Sequence, residues 1–177
     1  WDWGAHLPDA GIFRPVRLCK VNKGRIDSVR ISQTHRDGRC ILDFDAEYAA
    51  DAREDCSIRI RVTAPGDEKE DTDFIADDQQ FETILSPDGK GSILIENPRL
   101  WWVNGLGAQP LYEVEAVLFC GGVQADSWTR RIGLRSMTMQ REKDTWGESF
   151  AHVINGKPFF AMGADYIPEE HLLGRRS

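Results

Sequence analysis

Cys40-Ile41-Leu42-Asp43-Phe44-Asp45-Ala46-Glu47-Tyr48 is the stretch on which the fold turns. Cys40, Leu42, Phe44, Ala46 and Tyr48 alternate with Ile41, Asp43, Asp45 and Glu47. Successive side chains of a strand point to opposite faces, so this pattern describes a half-buried strand. The same period returns in Cys56, Ile58, Ile60 and Val62, set between Ser57, Arg59 and Arg61. It returns again in Tyr112, Val114, Ala116 and Leu118, interleaved with Glu113, Glu115 and Val117. Further strands are expected at 26–32, 81–85, 93–96 and 128–132. No stretch sustains a 3.6-residue stripe, so helices should be few and short. Turn chemistry falls between the strands: Arg36-Asp37-Gly38, Pro65-Gly66, Ser86-Pro87-Asp88-Gly89 and Gly121-Gly122. Seven or so short strands punctuated in this way predict an all-β, two-sheet antiparallel β-sandwich.

Composition agrees with a globular domain and narrows the function classes. The chain has 177 residues, 41% hydrophobic and 29% charged, enough to bury a real core. A formal net charge of −7 argues against a nucleic-acid partner, because phosphate binding needs clustered Lys and Arg. Apolar runs are far shorter than a membrane span, so no membrane role is expected. The acidic run 67–73, which contains Lys69, reads as a solvated loop and lacks calcium-loop spacing. Cys19, Cys40, Cys56 and Cys120 are scattered, with no C-x-x-C pair and no His at metal spacing. They are read as buried free thiols, not as a disulfide or metal site, which points to a reducing, cytoplasmic setting. No cofactor is implied.

The ends differ from the middle. Trp1-Asp2-Trp3-Gly4 has neither a basic region nor an apolar core of a targeting signal, and the chain opens inside a Trp/Asp-rich motif. Near the other end, Asn155-Gly156 between apolar residues is a two-residue hairpin signal. After it, Pro158-Phe159-Phe160-Ala161-Met162-Gly163 is almost continuously apolar, as in a strand buried on both faces. The expectation is a piece of a longer chain, with a second domain only begun.

Three segments, in order, carry a resemblance. The first is Trp1-Asp2-Trp3-Gly4-Ala5-His6-Leu7-Pro8 with Ala10-Gly11-Ile12-Phe13-Arg14-Pro15-Val16. The second is Asn97-Pro98-Arg99-Leu100-Trp101-Trp102, then Asn104-Gly105-Leu106-Gly107 and Gln109-Pro110-Leu111-Tyr112. The third is Asn155-Gly156-Lys157-Pro158-Phe159-Phe160 with Gly163-Ala164-Asp165-Tyr166-Ile167-Pro168. Together they resemble glycoside hydrolases of the β-galactosidase/β-mannosidase/β-glucuronidase superfamily, in its β-mannosidase branch. Asp165 and Tyr166 depart from the Asn and Trp common there, and Phe13 stands where Trp is frequent.

The resemblance implies an immunoglobulin-like sandwich over 19–140. Residues 1–18 would end a preceding sugar-binding-type β-domain, and 141–177 would hold the hairpin and first strand of a (β/α)8 catalytic barrel. Retaining members place two glutamates about 5–5.5 Å apart across the glycosidic bond, and both come from later barrel strands. No catalytic residue is therefore expected here. Glu169 and Glu170, beside His171, are adjacent on an extended chain and point apart. Trp1, Asp2, Trp3, Asp165 and Tyr166 would contact substrate in the parent enzyme, with indoles stacking on sugar C–H faces and carboxylates accepting from hydroxyls. For the first three, exposed tryptophans at a frayed terminus are the other reading. Trp101 and Trp102 are read as interdomain packing in preference to a sugar platform. The partners implied are the other domains of the parent glycosidase and a mannose-containing oligosaccharide. A stand-alone carbohydrate-binding or adhesion module is the alternative.

Overall fold

A computed structural model describes residues 10–12, 14–66 and 79–166. Its strands are β1 (Gly24–Arg36), β2 (Arg39–Ala50), β3 (Cys56–Thr63), β4 (Gln80–Ile84), β5 (Lys90–Glu96), β6 (Tyr112–Cys120), β7 (Val123–Ile132), β8 (Met137–Gln140), β9 (Ala151–Ile154) and β10 (Lys157–Phe159). One 3-10 turn, Arg53–Asp55, is the only helical element among the described residues. No helix among them is long and apolar enough to cross a membrane.

Strands β1-β2-β5 form one antiparallel sheet and β4-β3-β6-β7 a second. The alternation read from the sequence is what holds them together. Leu42, Phe44 and Ala46 of β2 share one buried cluster with Ile58, Ile60 and Val62 of β3, Ile93 and Ile95 of β5, and Val114, Ala116 and Leu118 of β6. The intervening residues face out and pair across strands. Arg30 meets Asp45 at 2.5 Å, while Arg61 reaches Glu82 at 2.7 Å and Glu115 at 3.3 Å. This is a two-layer immunoglobulin-like sandwich in which β4 pairs with β3, not with β5 as in the seven-strand constant-type arrangement.

The hairpins form where the turn residues stand. Asp37-Gly38, Gly121-Gly122 and Asn155-Gly156 each put two residues at positive φ, which matches the right-handed twist of the flanking strands. The last of these joins β9 to β10, and β8 completes a third, three-stranded antiparallel sheet. Neither β8 nor β9 is among the strands expected from the sequence.

Two expectations are overturned. Cys56 and Cys120 are not free thiols; they form a disulfide. Their strands run antiparallel with Cys56 directly opposite Cys120 and Cα atoms 4.2 Å apart, the spacing of a non-hydrogen-bonded pair whose side chains meet on one face. Cys19 is free but exposed, so only Cys40 is a buried free thiol, and the inference to a reducing setting loses its basis. The apolar run after Asn155-Gly156 is not buried on both faces either: Phe160 is 85% exposed and Met162 88%. Strand β10 ends at Phe159 and is paired only with β9, so Phe160 stands uncovered among the described residues.

Residues Val21–Phe160 form one compact unit. The described residues of the other unit, 10–12, 14–20 and 161–166, contain no strand or helix. Trp1, Asp2, Trp3, Phe13, the acidic run 67–73, Glu169 and Glu170 lie outside the described residues.

Candidate functional site

The segment 97–111 leaves β5, crosses to β6, and carries the motif Asn97-Pro98-Arg99-Leu100-Trp101-Trp102. Its fastenings are specific. The Arg99 backbone N–H donates to the Tyr112 hydroxyl at 2.8 Å, and Arg99 Nη1 donates to the carbonyls of Pro65 and Gly66, both at 2.8 Å. Burial pushes the Tyr112 phenol above its ordinary pKa, and the Arg99 amide and cation partly offset that. Gln109 Nε2 donates to the Trp102 carbonyl at 3.1 Å and to Asn104 Oδ1 at 2.9 Å, closing the loop on itself.

Trp101 is the junction of three chain segments. Its N–H donates to the Leu134 carbonyl at 2.9 Å, beside the parallel bridge of Leu100 with Leu134. Its carbonyl accepts from Asn155 Nδ2 at 3.0 Å. Asn155 Oδ1 in turn accepts from the Ser136 N–H at 3.0 Å, and the Asn155 N–H donates to the Ser136 carbonyl at 3.0 Å. Leu134 and Ile154 are completely buried beside this knot. The Arg135 guanidinium lies 4.8 Å from the Trp101 ring centroid, and Lys157 Nζ lies 5.2 Å from that of Trp102. Each indole rests against a glycine: a Cβ on Gly133 would sit 2.7 Å from Trp101 Cγ, and one on Gly107 would sit 2.8 Å from Trp102 Cδ1.

Beside the knot lies a recess of about 280 Å³ lined by His35, Asp37, Arg39, Leu100, Ser136 and Asn155. His35 Nε2 is 3.1 Å from Gln33 Oε1, which also accepts from the Arg135 N–H at 3.1 Å. Burial pushes the His35 imidazole below its ordinary pKa. Cys40 Sγ lies 3.6 Å from His35 Nε2, but burial raises the thiol to about 11, so it stays protonated and unreactive.

Of the side chains singled out from the sequence, Trp101 and Trp102 are thus held together at a structural joint. Asp165 and Tyr166 are exposed, the latter 62%. Asp43 and Asp45 line a recess with Arg30, Ser32 and Lys90, but both sit on one strand face, with Arg30 on Asp45. That geometry suits surface ion pairing, not a two-sided grip on a glycosidic bond. Sequence reasoning missed the pinning role of Asn155 and the pairing of Cys56 with Cys120. The second was signalled: Cys56 opens one inward face and Cys120 closes another, so antiparallel pairing sets them opposite.

Comparison with known proteins places this architecture. Beta-mannosidase B of Aspergillus flavus is 30% identical over 177 residues, covering 98% of this chain and 20% of that protein. The mannosylglycoprotein endo-beta-mannosidase of Lilium longiflorum is 30% identical over 185 residues, covering 98% and 19%. The chain therefore spans about a fifth of the length of the curated relatives it matches. The apo β-glucuronidase of Ruminococcus gnavus superposes with a TM-score of 0.57 at 14% identity, over 79% of this chain and 19% of that one, a likeness of fold. The profile described as Glycosyl hydrolases family 2 matches residues 24–135, which run from the first strand of the sandwich to the Trp101 joint. The chain belongs to glycosyl hydrolases family 2.

Proposed function

We propose that the chain is the non-catalytic sandwich of a β-mannosidase-like retaining glycoside hydrolase. It holds a preceding β-domain (1–18 being its last residues) and a following barrel (begun at 141–177) in the relation that completes a sugar pocket. The observation that carries this reading is the Trp101 knot. One residue ties the sandwich loop, the β7–β8 connection and the β9–β10 hairpin, so that hairpin is fastened to the sandwich. Positioning of this kind is worth much in a glycosidase, because displacing a substrate-contacting group by about 1 Å costs on the order of 10²-fold in rate. The β-mannosidase names of the relatives support a mannose-containing oligosaccharide as the parent's substrate.

The test uses the purified 177-residue chain. It should release no product from an aryl β-mannoside, and calorimetric titration with manno-oligosaccharides should show no saturable binding tighter than millimolar. Measurable turnover would refute the non-catalytic part.

A binding-module reading has one observation of its own. Trp146 is 94% exposed at the tip of the β8–β9 connection, and Asp144 Oδ1 braces it by accepting from the N–H groups of Trp146 and Gly147, both at 2.7 Å. If this indole is a sugar platform, the titration shows saturable binding that Trp146→Ala abolishes.

A further inference from the structure

The sandwich has two ends, fastened differently. Where β6 begins and β7 finishes, the Trp101 knot lies next to Ile132 and Leu134. At the other end β1 starts at Gly24, paired with Ala50, and the 3-10 turn Arg53–Asp55 carries the chain from β2 to β3. Here the Cys56–Cys120 bond joins that crossover to the β6–β7 hairpin. A backbone bond from the Gly121 N–H to the Asp55 carbonyl, 3.0 Å, lies alongside it.

Cys120 belongs to the buried cluster and Cys56 packs against it, so the bond lies at the margin of the core. Cys120, though 5% exposed, lines a recess of about 190 Å³ together with Lys23, Asp51, Ala52, Asp55 and Gly121. Cys56 is half-buried at the first residue of β3, not in its middle. Cys40 takes no part, being fully buried with its thiol held protonated.

From this placement we infer that the Cys56–Cys120 pair is a reversible thiol–disulfide exchange site, a redox clamp that small-molecule thiols open in the folded protein. The reductant's thiolate attacks Cys120 Sγ, the S–S bond breaks, and its electron pair passes to Cys56 Sγ, which takes a proton from water. The Cys56 hydrogen then has an acceptor in place, because its Sγ lies 3.2 Å from the Ala52 carbonyl oxygen. A second reductant thiolate resolves the mixed disulfide. Cys120 leaves as a thiol, and the two reductant sulfurs leave joined as a disulfide. Two electrons enter the protein, two protons come from solvent, and the reductant is oxidised. Because two carboxylates and one ammonium line the recess, an uncharged dithiol reacts faster than an anionic tripeptide thiol at equal thiolate concentration.

The experiment uses the full 177-residue chain purified in air. Thiol titration in denaturant should find two free thiols per chain before reduction and four after. Native-state reduction by dithiothreitol, followed by mass spectrometry, should go faster than global unfolding measured under the same conditions. The reduced protein should keep its far-ultraviolet sheet spectrum and melt lower by about 10 °C, since a long chain loop is no longer closed in the unfolded state. The double variant C56S/C120S should melt like the reduced form, and reoxidation should restore the original Tm. Four free thiols before reduction would overturn the inference. So would reduction no faster than global unfolding, which marks a merely structural bridge, or an unchanged Tm.

Discussion

Asn155 shows how much one side chain can do beyond its local job. At φ 48°, followed by Gly156 at 80°, it makes the tight turn between β9 and β10, as any Asn-Gly pair between strands is expected to do. Its amide also donates to Trp101 and accepts from Ser136. Asn155→Gly keeps the turn and removes both bonds from part-buried backbone groups. It should lower unfolding stability by about 1–3 kcal/mol in urea titration. Asn155→Asp keeps the acceptor for Ser136 but faces a carboxylate toward the Trp101 carbonyl, so it should be no milder than the glycine variant. Gly133 makes the complementary case. Gly133→Ala drives a methyl into the Trp101 ring, costs about 1–3 kcal/mol, and should shift the tryptophan emission. The turn was legible because it depends on two adjacent residues. The pin was not, because its partners lie 54 and 19 positions away.

At the scale of the strand, alternation has a direct energetic reading. Ile60 is fully buried between the sheets, whereas Ile84, on the edge strand β4, is 69% exposed. Ile60→Ala should cost about 2–5 kcal/mol through lost transfer energy and a residual cavity. Ile84→Ala should stay within about 0.5 kcal/mol, and parallel urea titrations check both. Strands β2, β3, β5 and β6 were legible because each buries alternate residues against the facing sheet. The four-residue strands β8 and β9 were not. In β8 Met137 and Met139 remain about half exposed at 49% and 48%, so its apolar residues bury no face. The run after Lys157 misled for a related reason: apolar character reports a need for cover, and the described residues do not supply it.

For the whole molecule, the His35 recess couples stability to pH. The imidazole is flanked by Gln33 and Cys40, with Arg36, Asp37 and Arg39 on the adjoining turn and Ser136 and Asn155 across the recess. Because burial holds its folded-state pKa below the ordinary value of about 6.5, the unfolded chain binds the proton first as pH falls. Its contribution is therefore fully present above about pH 6.5 and is lost as pH drops through the lower folded-state pKa. Urea midpoints taken between about pH 7.5 and 5 should fall with pH, and His35→Gln should flatten that slope. Across the molecule, the division follows sequence distance. Period, turn residues and motif order determine the sandwich strands, the hairpin turns and the family, because each is written in neighbouring residues or in short runs. Tertiary structure alone decides that β4 joins β3 and that Trp101 gathers Leu134 and Asn155. Those contacts depend on which surfaces meet once the sheets close, and no local pattern encodes that.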